Sequence, residues 1–299
     1  REAKFFMYLP WHNTHDPLEA PDEYFYPPTC KDTYKARLTY NAMANSLDEG
    51  MGNVTAALKK GALWEETLIV WSADNGGWLR ATGSSNFPLR GGKVSDFEGG
   101  VRAVAFVSGG YLPVEVRGSR HLGIIAIADW YATLCGLAGV DASDVPANRS
   151  VPATDSLDVW PSLLVPNSTA SPRNTILLSY QCAGCAYGAG TAGHQEGGLL
   201  VGDTKIVCGI QGMQNFWQSE CYPNATSAAQ DPTASNKDDV ALYGCGSFNE
   251  THPSSSGCCM FNVTADPGEH KDLRGTQPAL FQSMMAEMDK QRRTVYQTD

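Results

Sequence analysis

Asp74 and Asn75 place a carboxylate and an amide oxygen side by side, shortly after the apolar run Thr67–Trp71 and directly before Gly76-Gly77. Two hard oxygen donors suit Ca²⁺ or Mg²⁺ rather than zinc. The C-terminal end of a strand in an open α/β sheet is where ligand sites gather. The glycines let the backbone turn away and leave room for a ligand, although Asp-Asn-Gly-Gly is also a strong turn signal. His15, in Trp11-His12-Asn13-Thr14-His15-Asp16-Pro17, offers an imidazole that can donate to an anionic oxygen or protonate a leaving group. His12 is the lesser candidate. Lys93 stands on the Gly-rich string Pro88-Leu89-Arg90-Gly91-Gly92-Lys93, from which a compact ammonium can approach a tetrahedral anion. Arg90 is a second cation of that loop, and Arg102 is expected to pair with Glu98 or a neighbour. Taken singly, each residue also fits a plain role: a turn, a loop histidine, a solvated lysine.

Positioning these groups requires a scaffold. Phe5–Leu9 reads as a buried strand stopped by Pro10. Residues 11–30 read as loop. From Asp32 to Lys60, apolar residues recur at steps of three and four (Tyr34, Leu38, Met43, Leu47, Met51, Val54, Leu58), which predicts an amphipathic helix ending at Gly61. Thr67–Trp71 and Val101–Val107 read as strands, and Ile127–Leu137 as a helix closed by Gly139. This order predicts α/β architecture with a parallel sheet. Asp141–Ser171 is a Pro/Ser/Asn-rich surface connection. Beyond it, short strands (Thr175–Ser179, Leu199–Val201, Lys205–Val207, Met260–Val263) lie among Gly/Ser/Asn/Cys loops, and a helix over Pro278–Tyr296 closes the chain. That later part reads as a smaller α+β domain, giving units 1–172 and 173–299.

The composition limits the partners. With a net charge of −10 and a pI near 5.0, the 299 residues lack the basic surface that a nucleic-acid backbone or anionic membrane requires. No apolar run is long enough to span a bilayer. Eight of nine cysteines follow residue 100. Cys182-x-x-Cys185 has no second CxxC, and with Cys208, Cys221, Cys245, Cys258 and Cys259 it reads as disulfide sulfur in a loop-rich region. Cys135, on an apolar helix face, is expected to be a free buried thiol. Sequons stand at Asn53, Asn148, Asn167, Asn224, Asn249 and Asn262, six of fourteen Asn, where chance would give about two. Cysteines and sequons together point to a glycoprotein of the secretory route, secreted or lysosomal. The chain opens on Arg1-Glu2-Ala3-Lys4 without a leader, so a preceding segment is expected.

The segments FFMYLPWHNTHDPL, SLDEGMGNVTAALKKGALWEETLIVWSADNGG, NFPLRGGKVSDFEGGVRAVAFVSGG, IADWYATLCGLAGV, DVWPSLL and CCMFNVTADPGEHKDL stand in this order. In order and spacing, over nearly all of the chain, they resemble the sulfatase family, in its arylsulfatase B (N-acetylgalactosamine-4-sulfatase) branch. DNGG after a β-run, followed by PLRGGK and EGGVR, is the most specific part. The resemblance implies the alkaline-phosphatase-like α/β sandwich with a smaller C-terminal domain. It implies that Asp74 and Asn75 are late Ca²⁺ ligands, that Lys93 contacts the sulfate, and that His15 stands near the sulfate and the leaving oxygen. The activity implied is hydrolysis of a sulfate ester of a small molecule or glycan.

The family's C-x-P-S-R motif, whose Cys becomes the formylglycine nucleophile, is absent; Cys221-Tyr222-Pro223-Asn224-Ala225 has no Arg and does not replace it. The early Asp-Asp pair and the early Lys and His are absent too. The family pattern therefore expects an N-terminal partner segment of the same protein, without which the chain would be inactive. Without that segment's strands, apolar side chains beside Asp74 should lie exposed over more than about a few hundred Å². Two other readings stay open. One is a related phosphatase or phosphodiesterase with a Ser or Thr nucleophile and zinc. The other is a non-catalytic sulfatase-fold glycoprotein.

Overall fold

A computed structural model of the protein describes residues 4–26, 35–79, 83–143, 154–180, 197–209, 211 and 257–294. The long amphipathic pattern forms α1 (Lys35–Lys60), which buries Thr39, Ala42 and Met43. Lys59 and Lys60 in its last turn oppose the negative end of the helix dipole. Gly61 N and Leu63 N close it on Ala57 O and Leu58 O, both at 2.9 Å.

The run after α1 gives β1 (Ile69–Ser72). Glu98–Val101 then forms a single helical turn, α2, and β2 follows as Ala105–Ser108. These strands correct the expected parallel sheet, because β1 and β2 pair antiparallel, Ile69 opposite Ser108 and Ser72 opposite Ala105. A parallel pair needs a crossover that carries the chain back to the starting end of the first strand. The described residues between them make none; glycine-rich turns and α2 lead back into the sheet, where Ala105 lies opposite Ser72. Phe5–Leu9 is a second correction. It joins no ladder among the described residues, and Phe6 and Tyr8 are 77% and 79% exposed. The apolar run has strand propensity, but no described neighbour offers it a backbone partner. On β2, Phe106 is also exposed and stacks on Trp71 with ring centroids 5.3 Å apart.

Next come α3 (Asp129–Ala138), ended by Gly139 in the left-handed region at φ 73°, and the short α4 (Trp160–Leu163). Asp129 is fully buried at the start of α3, where it accepts from Ala126 N and Leu157 N and from both Nε and Nη2 of Arg173. Cys135 is free as expected, but half-buried rather than buried.

The later part is an antiparallel sheet in the order β3 (Thr175–Tyr180), β4 (Gly197–Val201), β5 (Thr204–Cys208), β6 (Cys258–Asn262). A two-residue turn joins β4 to β5, with Gly202 at φ 58°, where a glycine costs no steric strain. Side chains alternate between the two faces. Leu199, Ile206, Cys208, Cys258 and Met260 meet Phe281, Met284, Met285 and Met288 of the closing helix α5 (Pro278–Arg292). On the other face, Val207, Cys259, Phe261 and Val263 pack with Phe97. The cysteines here read as disulfide sulfur, and the sheet does not rely on disulfides alone. It holds a well-buried core, whose apolar residues alternation disperses and hides from a search for runs. Cys208 and Cys258, directly opposite across β5 and β6, form a disulfide, and Cys259 is also disulfide-bonded. Cys182, Cys185, Cys221 and Cys245 lie outside the described residues.

Candidate functional site

β1 delivers the chain into Asp74–Gly77, and the segment Arg90–Gly100 lies against it backbone to backbone. Gly76 N donates to Gly100 O at 2.9 Å, Lys93 N to Gly77 O at 3.1 Å, and Gly99 N to Arg90 O at 2.7 Å. The contact is so close that a Cβ on Gly76 would drive into the Gly99 carbonyl. Asn86 staples the two segments. It accepts from Gly77 N at 2.9 Å, and its Nδ2 donates to Gly77 O and Gly91 O at 3.0 and 2.9 Å. The sequence marked Asn86 only as the first residue of the NFPLRGGK segment.

His15 comes from a loop fixed on α1. The Trp11 ring lies against Gly50, where an added Cβ would stand 2.8 Å from it, and Asn13 Nδ2 donates to Met43 O and Ser46 Oγ at 2.9 Å each. His15 Nδ1 lies 3.1 Å from Asp16 O, a carbonyl that can only accept, so the proton sits on Nδ1. Nε2 is then an acceptor, and Lys93 Nζ stands 3.4 Å from it. His12 lies behind, its ring centroid 6.0 Å from that of His15.

Asp74 is exposed, and its Oδ1 accepts from Asn75 N at 2.8 Å. Asn75 Nδ2 donates to Gly76 O at 2.9 Å, which leaves the amide oxygen without a partner among the described residues. Two hard oxygens fit Ca²⁺ as part of a shell that takes about six to eight. Among the described residues no group of three or more His, Cys, Asp or Glu gathers for a metal.

A second polar cluster lies under the Lys93 loop. Lys205, fully buried, stands 2.9 Å from both Glu98 Oε1 and Glu269 Oε1. Glu269 Oε2 accepts from Glu98 N at 2.7 Å. Asp96 accepts from Ser179 Oγ at 2.6 Å, and its N donates to Gln211 Oε1 at 2.7 Å. Burial raises the Asp96 and Glu269 carboxyls above the usual range, against the opposing charge of Lys205. Arg90 lies 3.8 Å over the Phe97 ring, and burial lowers its guanidinium to about 10 against the pull of Glu269. Arg102 pairs with Glu98 at 3.6 Å, as the spacing predicts. A lysine inside the apolar strand Thr204-Lys205-Ile206-Val207 was the available signal for this cluster.

Architecture and relatives agree. The crystal structure of Ps i-CgsB superposes with a TM-score of 0.62 at 25% identity, covering 94% of this chain and 48% of that one. This is the alkaline-phosphatase-like α/β fold of sulfatases. Residues 1–140 match the Sulfatase family model. Arylsulfatase J of Mus musculus is 29% identical over 97% of this chain and 45% of its own length. N-acetylgalactosamine-6-sulfatase of Rattus norvegicus is 29% identical over 55% of this chain and 29% of its own. Over residues 1–140 the chain is thus similar to the sulfatase family, its relatives include arylsulfatases, and it spans less than half the length of these two relatives.

Proposed function

We propose that the chain is the later part of a Ca²⁺-dependent sulfatase that hydrolyses a sulfate ester, of a sugar in the first instance. The observation that carries this reading is the meeting of His15 and Lys93, 3.4 Å apart, beside the loop that bears Asp74 and Asn75. Asp74 and Asn75 would hold part of a Ca²⁺ shell. When bound, the metal would supply positive charge toward sulfate oxygens, and a formylglycine from a C-x-P-S-R segment outside these residues would supply the nucleophile. Lys93 adds a compact positive charge for the sulfate, where charge placed in advance stabilises the transition state. His15, once protonated at Nε2 as well, orients the ester oxygen or assists the leaving alcohol.

A sugar ester is supported by the similarity to N-acetylgalactosamine-6-sulfatase. The arylsulfatase B-like branch rests on the motif order, and the secretory route on six sequons and the cysteine content. A division into a catalytic unit, 1–172, and a smaller unit, 173–299, is supported by the separate sheet and helix of the later part. No helix among the described residues is long and apolar enough to cross a membrane.

The test is an assay of the intact protein on a sulfated sugar and on the matching phosphate ester, with and without a Ca²⁺ chelator. Sulfate release that the chelator and Asp74→Ala both abolish supports the reading. Preference for the phosphate ester, or no turnover of either in a protein carrying formylglycine, overturns it.

A further inference from the structure

Lys205 is buried in a strand whose neighbours are apolar, and such a placement is costly unless the ammonium is fully paired. Its two carboxylate partners come from different parts of the chain. Glu269 follows β6, whereas Glu98 lies five residues beyond Lys93, and Glu269 also accepts from the Glu98 backbone. Two residues earlier, Ser179 and Gln211 hold the side chain and backbone of Asp96. The later part of the chain thus grips the Lys93 loop at 96 and 98, and Gly77 and Asn86 grip it from the other side. Between these anchors Val94 is held at φ 70° while 62% exposed. A β-branched residue avoids that region unless its surroundings dictate it. Nothing about the exposed Val94 side chain requires the conformation, so the anchors impose it, and the residue they aim is Lys93.

We infer that Lys205 is a positioning residue for Lys93, acting through Glu98 and Glu269 from the C-terminal sheet, so that this sheet sets the geometry of the anion site. The inference rests on the proposed role of Lys93 as the sulfate contact. It assigns to the C-terminal part a function beyond stability.

The experiment measures inorganic sulfate affinity by calorimetry, with kcat and KM, in the intact protein carrying Lys93→Ala, Lys205→Met and the double substitution. Near-UV circular dichroism checks the folded fraction. Lys205→Met is expected to weaken sulfate about tenfold, and less than about twofold further once Lys93 is gone, since two residues acting through one contact do not add. Ser179→Ala loosens the Asp96 anchor with less risk to folding. It is expected to weaken sulfate about threefold, again only while Lys93 is present. If Lys93→Ala leaves sulfate affinity unchanged, the reading of Lys93 falls and the inference falls with it. If Lys93→Ala weakens sulfate while Ser179→Ala and any folded Lys205→Met have no effect, or add in full, the inference alone is overturned.

Discussion

Lys93 Nζ faces His15 Nε2 at 3.4 Å, although 78 positions separate them in the chain. The contact needs an imidazole with its proton on Nδ1, and the Asp16 carbonyl enforces that tautomer. An anion entering between the two would meet the ammonium, and His15 could donate to it only after Nε2 takes up a proton.

Because the two side chains touch, their losses should not multiply. In the intact protein, Lys93→Ala and His15→Ala are each expected to lower kcat/KM about a hundredfold, and the double substitution by clearly less than the product. Steady-state kinetics on a sulfate ester reads this directly. Full multiplicative loss would mean that the residues act at separate places. Lys93→Arg should recover only part of the activity, since a planar fork does not reproduce a compact ammonium.

The backbone contact between the two glycine loops gives a second expectation. Gly76→Ala should destabilise the intact protein by about 3 kcal/mol or more, because the added Cβ meets the Gly99 carbonyl, which the paired loops hold in place. Asn86→Ala removes both halves of the staple and should cost about 1–3 kcal/mol for the buried backbone groups it leaves unpaired. Denaturant unfolding measures both. A neutral Gly76→Ala would show that the loops separate easily.

What the sequence made legible follows from the range of each interaction. The periodicity of α1 and the Gly139 stop are local, and both helices formed close to their expected bounds. The strands of the later sheet were placed within about two residues. Strand direction was not legible, because Ser72 and Ala105 are brought together by loops whose path depends on contacts such as Gly76 N to Gly100 O. Asp74, Asn75, Lys93 and His15 could be named from residue type and motif. Asn86, Asn13 and Lys205 could not, since their roles lie in partners up to 107 positions away.

The sequons are not equivalent in the fold. Asn53 is exposed on α1, and Asn167 is exposed with only its oxygen engaged, by Arg120 N. Asn262 is half-buried. Its Nδ2, the atom a glycan would take, donates to Asp203 Oδ2 at 2.7 Å, while its oxygen caps Thr264 N and Ala265 N. Glycopeptide mass spectrometry of the intact protein, expressed through a secretory route, should find Asn53 and Asn167 occupied and Asn262 largely bare. High occupancy at Asn262 would require that turn to rearrange. Asn148, Asn224 and Asn249 lie outside the described residues.

The buried carboxyls set opposing pH windows. Burial alone would push Asp129 up, but the Arg173 hydrogen bonds, the backbone donors and the Arg173 charge outweigh it and hold the carboxyl below its ordinary 3.8. A depressed acid stabilises the fold above its unfolded value, and that contribution is lost as pH falls through the lower, folded value. Asp96 and Glu269 shift the other way, raised by burial from 3.8 and 4.5. For them the folded state holds its protons longer, so stability falls as pH rises from the ordinary value through the raised one. Taken together, these three shifts contribute most to stability near the ordinary carboxylate range, above the window of Asp129 and below that of the raised pair. Thermal melting against pH should show this contribution. Asp96→Asn should flatten the decline on its alkaline side, and Arg173→Met should cost about 3–5 kcal/mol by leaving Asp129 buried without its cation. A melting temperature that rises steadily to neutral pH, unchanged in shape by Asp96→Asn, would mean that the carboxyls under the Lys93 loop ionise as freely in the folded chain as in the unfolded one.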